Sequence, residues 1–444
     1  MTQVSLSSHY PAHLATVQGR YDAALAATGY DAVLIGAGIA RLQFMDDQHA
    51  PFRANPQLLQ WLPLQAHPDA CLLYQPGRRP EAVVVRPATY WEEPPAAPGA
   101  PWADGIELRI VAQSEAVPAA LGTLPRRLAV LAPEPHLQDL AAAEHRNPGA
   151  LIEHLNYQRA WKTDYEVSCQ REATTLAVRG HRAAAAAYAE GASEFEILLA
   201  FQQACGQAAA DMPYPPIIGA GRHAATLHYQ HYRQTSPSAG SLLIDAGCRA
   251  QGYASDITRT HVRAGNQAFT ELRDDLDQSQ QRLCAQVRPN MPFAELHHAA
   301  HAEIAALLVA HDLVKGTAES ALERGLSRFF FPHGLGHLLG LQVHDVGGRQ
   351  AGPQGNDLQA PARYPHLRLL RTLEPGFTLT IEPGLYFIES LLQELRVDAA
   401  GAEVNWDRVE ALLPLGGIRI EDNLLVTADG AENLTRDAFA AKAH

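Results

Sequence analysis

Asp245, Asp256, His337, Glu382 and Glu421 can each hold a metal ion, and each lies in or beside an apolar, strand-like or glycine-punctuated segment of the C-terminal half. Carboxylates flanked by Leu, Ile, Val and Thr on an alternating strand are costly to bury unless a positive charge sits between them. A pair of divalent metal ions meets that requirement. The stretch SLLIDAGCRAQGYASDITRTH carries Asp245 and Asp256 at two strand ends with Gly247 and Gly252 between, so a bent hairpin would bring both acids together. Taken singly, each Asp is better explained as a turn or cap residue beside glycine.

In LTIEPG and IRIEDN, strand alternation puts Thr380 with Glu382 on one face and Arg419 with Glu421 on one face. An ion pair with a neighbour such as Arg419 is the rival explanation for either glutamate alone. Four acids in four β segments favour a shared site. FPHGLGHLLGLQVHD adds His333, His337 and His344, and glycines at 334, 336 and 340 oppose a regular helix there. Gly334 stands where the HExxH pattern needs glutamate, which excludes a lone-zinc protease of that kind. Four oxygen donors and one imidazole form a hard ligand set that suits Mn(II) first, with Co, Fe(II) or Zn as alternatives. Two such ions about 3.5–4 Å apart share carboxylates, bring a bridging water toward ionisation and polarise a carbonyl or phosphoryl oxygen, so hydrolysis is the expected reaction.

The elements that must position these residues divide the 444-residue chain into two expected domains, 1–158 and 159–444. The first opens with helical spacing from Pro11 to Ala27 (Leu14, Val17, Tyr21, Leu25), closed by Gly29. Apolar runs at DAVLIGAG, ACLLYQPG, EAVVVRP, IELRIVA and RLAVLAP alternate with helix-like SEAVPAALGTL and EPHLQDLAAAEH, an α/β pattern. Two alanine-rich helices follow, at KTDYEVSC and SEFEILLAFQQ, before strands resume at AATLHYQHY, SLLIDAG, GYASDITRTHV, LGLQVHDV, FTLTIEPGLYF and GIRIEDNLLVT. Helices on an antiparallel sheet make the chain α+β as a whole. The Gly- and Pro-rich segment 347–365 reads as a long loop of the lid type.

A net charge of −13 argues against a nucleic-acid partner. No stretch of eighteen residues is apolar without a charge, and the five cysteines fall in no metal or disulfide spacing, so no membrane association and a cytoplasmic location are expected. VLIGAGIAR at 33–41 offers a dinucleotide-binding alternative, but Arg41 replaces its third glycine and no acid follows about twenty residues on.

The segments LLIDAG, SDITRT, HGLGH, VHD, TIEPG and IRIED together resemble the pita-bread metallopeptidases, the family of methionine aminopeptidases, aminopeptidase P and prolidase. MDDQHAPFRANPQLLQWLP, KTDYE, LHYQHY, FFPHGLGH, GLQVHDVGG and RTLEPG are similar to the bacterial prolidase group within it. The resemblance runs from about Tyr10 to Leu434. It implies a creatinase-like N-terminal domain, a C-terminal pita-bread domain, and hydrolysis of Xaa-Pro dipeptides, with organophosphate triesters as a side activity. It implies that Asp245 and Asp256 chelate one metal, that Asp256 and Glu421 bridge both, and that His337 and Glu382 complete the other. By the same likeness His228, His333 and His344 line the pocket and stabilise developing charge, and Glu382 shuttles the proton.

Arg368, fourteen residues before Glu382, matches the position that binds the substrate carboxylate, and Arg419 the one that orients Glu421. Tyr214 resembles an aromatic at the pocket mouth, and Asp47 a residue contributed by a neighbouring subunit, which implies a homodimer. The chain departs from the family pattern at Leu338, where many members carry proline, and in a shortened LHYQHYRQTSPSAGS loop. Two alternatives remain open: an aminopeptidase P-like enzyme acting on longer peptides, and a pita-bread protein that binds without catalysis.

Overall fold

The computed structural model describes residues 3–91, 93–236 and 240–441. It forms two compact units, one of Met1–Cys169 with Ala250–Tyr253 and Gln350–Asn356, the other of Gln170–Arg249, Ala254–Arg349 and Asp357–His444. In the loop expected to be shortened, residues 237–239 lie outside the described residues.

The first unit is built on a mixed sheet of β1 (Ala32–Gly36), β2 (Cys71–Tyr74), β3 (Glu81–Val85), β4 (Glu107–Val111) and β5 (Leu128–Leu131), in the order β4-β3-β2-β1-β5. Alternation along these strands sends Leu34, Leu73, Val83 and Val130 into one core, where Val117 and Leu121 meet them. On helix Gln3–Thr28, the expected stripe Leu14, Val17, Tyr21 and Leu25 is buried, and the Tyr21 ring stands 4.8 Å from that of Trp61. This helix begins eight residues before Pro11, so the proline sits inside it rather than at its start. EPHLQDLAAAEH forms only two single 3₁₀ turns instead of a helix. The dinucleotide alternative fails here: β1 pairs antiparallel with β2, and only the four-residue helix Pro56–Leu59 stands between them, whereas a phosphate crevice needs a parallel strand-helix-strand return.

In the second unit, β6 (Ile217–Ala220), β7 (Ser241–Asp245) and β8 (Thr258–Val262) form an antiparallel ladder that sets Thr258 and Ile217 opposite Asp245. β9 (Thr378–Ile381), β12 (Asp422–Val426) and β13 (Ala431–Asn433) form a second, and β10 (Gly384–Tyr386) pairs with β11 (Gly417–Arg419). A bridge joins the first two ladders, Glu421 N–H donating to the Thr258 carbonyl at 3.1 Å, and Glu382 N–H donates to the carbonyl of Leu335 in a neighbouring turn at 2.8 Å. Helices Gln267–Gln286 and Phe293–Ala310 cover this layer, Gln280 reaching the Ile381 carbonyl at 3.2 Å and Asp422 at 3.0 Å. The α+β expectation holds for this architecture, with three local corrections. FTLTIEPGLYF and GIRIEDNLLVT each break into two strands at the candidate ligand. AATLHYQHY and LGLQVHDV form turns and bends rather than strands, Tyr229 N–H donating to the Thr226 carbonyl at 3.1 Å and Asp345 N–H to the Leu338 carbonyl at 2.8 Å. The 347–365 loop contains a small hairpin, Gln350–Gly352 with Gly355–Asp357.

Burial of imidazole in this unit makes folding sensitive to acid. His181, His297 and His301 are each 2 % exposed, and burial pulls them down to about 3, 3 and 2. Unfolded imidazole titrates near pH ~6.5. Below that the unfolded chain takes up three protons that the folded chain refuses, so stability is full above it and falls with decreasing pH, by about 4 kcal/mol per pH unit while all three titrate. The urea midpoint should therefore drop steeply between about pH 6 and 4; a flat profile over that range would contradict neutral burial of these rings.

Candidate metal centre

The four candidate carboxylates stand at the ends of strands or at breaks between them, where a side chain can leave the sheet plane while its neighbours keep their ladder bonds. Asp245 is the last residue of β7. Asp256 lies two residues before β8 begins, its N–H held by Asn423 Oδ1 at 3.2 Å. Glu382 and Glu421 occupy the breaks between β9 and β10 and between β11 and β12. His337 lies in the glycine-shaped turn, where its N–H donates to Thr380 Oγ1 at 3.2 Å and its carbonyl accepts from Thr380 N–H at 3.0 Å. Two glycines are required by close approach. A Cβ at Gly336 would sit 1.9 Å from the Thr380 carbonyl oxygen, and one at Gly247 would sit 1.9 Å from that of Ser255.

These breaks bring the donors together. One ligand atom each from Asp256, His337 and Glu421 lies within 4.8 Å of the others, and all three residues are buried. His337 Nε2 is 3.4 Å from Asp256 Oδ2 and 3.8 Å from Glu382 Oε1. Its Nδ1 lies 3.0 Å from the Leu338 carbonyl; a proton placed there to donate leaves the Nε2 lone pair facing the acids. Asp245 takes Arg419 Nη2 at 2.6 Å, and the Tyr214 hydroxyl lies between Asp245, at 2.7 Å, and Asp256, with its one proton shared between the two carboxylates.

The electrostatics call for a cation. Burial, then the neighbouring Asp245 charge, pushes Asp256 well above the usual carboxylate range. Glu421 rises through burial and Asp256, and Glu382 through burial and Glu421. Burial pulls the His337 imidazole down to about 4. Asp422 is the contrast: although burial opposes ionisation, Arg259 and Arg436 hold it down at about 2. Adjacent acids at the start of β12 thus meet opposite fates, Asp422 neutralised by arginines and Glu421 raised by burial and Asp256. Divalent metal held by Asp245, Asp256, His337, Glu382 and Glu421 fits this donor set, since it supplies the positive charge that Arg419 alone does not.

The remaining expected site residues spread around this cluster. His333 Nδ1 is 3.7 Å from Glu382 Oε2, and the exposed His344 ring crosses His337 at 4.4 Å. His228 is exposed, and its charge bears on His333 and His344. Arg368 is exposed, and its charge bears on His337 and His344. Asp47 is exposed in the first unit, on the loop closed by the Leu42–His49 bridge.

Two residues carry structure that the sequence reading did not single out. Thr258 Oγ1 donates to Glu421 Oε2 at 2.7 Å, and Arg419 Nε in turn donates to that hydroxyl at 3.2 Å. Tyr386 OH accepts from Arg419 Nη1 at 2.9 Å and lies 2.8 Å from His333 Nε2. Alternation offered a signal for the threonine, two residues after Asp256. The tyrosine's partners are distant in sequence and gave none.

A profile described as "Metallopeptidase family M24" matches residues 168–428, and one described as "Xaa-Pro dipeptidase, N-terminal domain" matches residues 8–157. The chain belongs to metallopeptidase family M24. As an M24 hydrolase it pairs that N-terminal domain with a C-terminal pita-bread domain. Its relatives include an Xaa-Pro dipeptidase of Xanthomonas axonopodis pv. citri, 45 % identical and covering 99 % of this chain and 100 % of the relative. Another, from Stenotrophomonas maltophilia, is 43 % identical and covers 99 % of both. Proline aminopeptidase P II from Yersinia pestis has the same fold, with a TM-score of 0.70 at 25 % identity over 99 % of this chain and 97 % of that one.

Within this M24 site, Tyr386→Phe keeps the packed ring and removes only the hydroxyl joining His333 to Arg419. Activity of the metal-loaded enzyme should fall about 10–100-fold, as outer-shell losses do. Unchanged kcat/KM would show that neither side chain depends on this hydroxyl.

Proposed function

We propose that this chain hydrolyses Xaa-Pro dipeptides to an amino acid and proline at a dinuclear divalent-metal centre, with Mn(II) first and Co, Fe or Zn as alternatives. The observation that carries the reading is the full-length similarity to Xaa-Pro dipeptidases, joined to the buried Asp256, His337 and Glu421 gathered within 4.8 Å of one another, with Glu382 3.8 Å from His337. Asp245 and Asp256 would hold one ion, Asp256 and Glu421 would bridge both, and His337 and Glu382 would complete the second. When bound, the ions supply the positive charge that brings a water toward ionisation and polarises the scissile carbonyl.

The chain's own groups do the rest. Glu382 takes the proton released as water adds to the carbonyl carbon and delivers it to the prolyl nitrogen, so the C–N bond breaks to a neutral amine. His333, His344 and His228 offer N–H donors to the oxygen that gains charge. Arg419 orients Asp245 directly and Glu421 through Thr258. Arg368 takes the terminal carboxylate, Tyr214 borders the pocket mouth, and Asp47 completes the site of a neighbouring subunit in a homodimer. Residues 1–158 form the dimerising rim and 159–444 the catalytic domain. Proline explains the specialised site: its tertiary amide has no N–H to donate and its ring fixes the backbone.

A cytoplasmic location accords with five buried, unbridged cysteines and with the lack, among the described residues, of any helix long and apolar enough to cross a membrane. A phosphotriester, with an exposed oxygen on an electrophilic centre, is proposed as a promiscuous substrate. The second reading, an aminopeptidase P-like enzyme, draws on fold likeness to aminopeptidase P. Assays of Ala-Pro, Leu-Pro and Leu-Pro-Gly decide between them. The expected outcome is cleavage of both dipeptides, no cleavage of the tripeptide, loss of activity on chelation and recovery with Mn(II); equal turnover of Leu-Pro-Gly would favour the second reading.

A further inference from the structure

His333 and Gly334 form one wall of a cavity of about 290 Å³ in the second unit, whose lining also includes Arg328, Arg363, His297, His301, Tyr364 and Glu394. Arg363 is held in place by donating to the Leu322 carbonyl, and its guanidinium carbon lies 5.8 Å from the centre of the Tyr364 ring. Tyr364 stacks on His301 at 4.7 Å and 15°, and its hydroxyl meets His298 Nδ1 at 2.8 Å. The charges of Arg328 and Arg363 both bear on His301 and on Tyr364, so the two guanidinium groups address one spot.

Neither arginine has an ion-pair partner among the described residues, and Glu394 is the only acid in the lining. That is a local excess of positive charge in a chain of net charge −13. Phe331 and Leu367 supply apolar wall beside it. Guanidinium forks bind carboxylate oxygens in pairs, and a planar ring tolerates a flat apolar group against its face. A cavity of about 300 Å³ is at the small end of ligand sites and admits only a compact molecule.

We propose that this cavity binds a small carboxylate with a flat apolar body, held by Arg328 and Arg363 and packed against Tyr364. It is distinct from the proposed substrate carboxylate position at Arg368, whose charge bears instead on His337 and His344. The occupant would stand against His333, across that side chain from Glu382.

Calorimetric titration of benzoate into the full-length protein, metal-loaded and chelated, tests this without relying on turnover. One binding event is expected in both states. Arg328→Gln, a change at an exposed side chain, should weaken it about tenfold or more, and Arg363→Gln should do the same, while Arg368→Gln should bind as the wild type does. Unchanged affinity in Arg328→Gln, or no binding by the wild type, overturns the proposal. Loss of binding in Arg368→Gln alone also overturns it, by placing benzoate at the substrate position.

Discussion

Glu421→Gln is expected to lower kcat/KM for Ala-Pro by about 10³-fold or more in Mn(II)-supplemented buffer, and Asp256→Asn to do the same, while both proteins remain folded. Each substitution keeps side-chain volume and removes the charge that would bind metal. Glu421 is 2 % exposed and Asp256 6 %, and the Asp256 charge makes ionisation of Glu421 costlier, as the Asp245 charge does for Asp256. Without metal the cluster is a set of repelling acids, so the chelated amide variants should melt higher than the chelated wild type. With metal the order should reverse, because the wild type gains the binding free energy of its ions. Thermal melts of the three proteins with chelator and with Mn(II) give both signs. Near-normal turnover by either variant with metal supplied would refute the bridging assignment.

The second large effect is on stability. Arg419→Met should cost about 3–5 kcal/mol, the range for breaking a buried pair by removing one partner. Arg419 is 4 % exposed and contacts Asp245 at 2.6 Å, Tyr386 at 2.9 Å and Thr258 at 3.2 Å. Its removal leaves Asp245 beside Asp256 with no guanidinium between the acids and solvent. Arg419→Lys keeps the charge but loses the fork, so it should recover part of the stability and little of the orientation of Glu421 through Thr258. Denaturant unfolding of both variants measures this. A loss in Arg419→Met below about 1 kcal/mol would mean that Asp245 is satisfied from elsewhere, since ordinary surface changes fall within that range.

Acids at the ends of β-like segments are visible as a pattern, because a carboxylate among Leu, Ile and Val violates the expected burial rule unless it has a role. Asp245, Asp256, Glu382 and Glu421 are singled out that way, and His337 by its glycines, and the fold brings Asp256, His337 and Glu421 within 4.8 Å of one another. Short-range signals failed where tertiary contacts override propensity. AATLHYQHY has strand composition, yet its residues near Tyr229 and Arg233 bond Glu194 from another element and the chain turns. EPHLQDLAAAEH has helix composition, yet only isolated turns form, one of them at the left-handed Leu137. The breaks that divide FTLTIEPGLYF and GIRIEDNLLVT could not be placed, since alternation looks continuous through a two-residue break.

Residue types and their order along the chain already determined the two-part organisation and the α+β class, because these depend on composition and on periodicities of two and 3.6. Tertiary structure alone decided which nitrogen of His337 faces the acids, that Thr258 and Tyr386 tie Arg419 to Glu421 and His333, and that Glu421 faces acids while Asp422 faces arginines. Those outcomes depend on distances between residues well separated in sequence, 33 positions apart for Tyr386 and Arg419 and 163 for Thr258 and Glu421. No local pattern encodes such a distance; only the packed sheet brings the partners within reach.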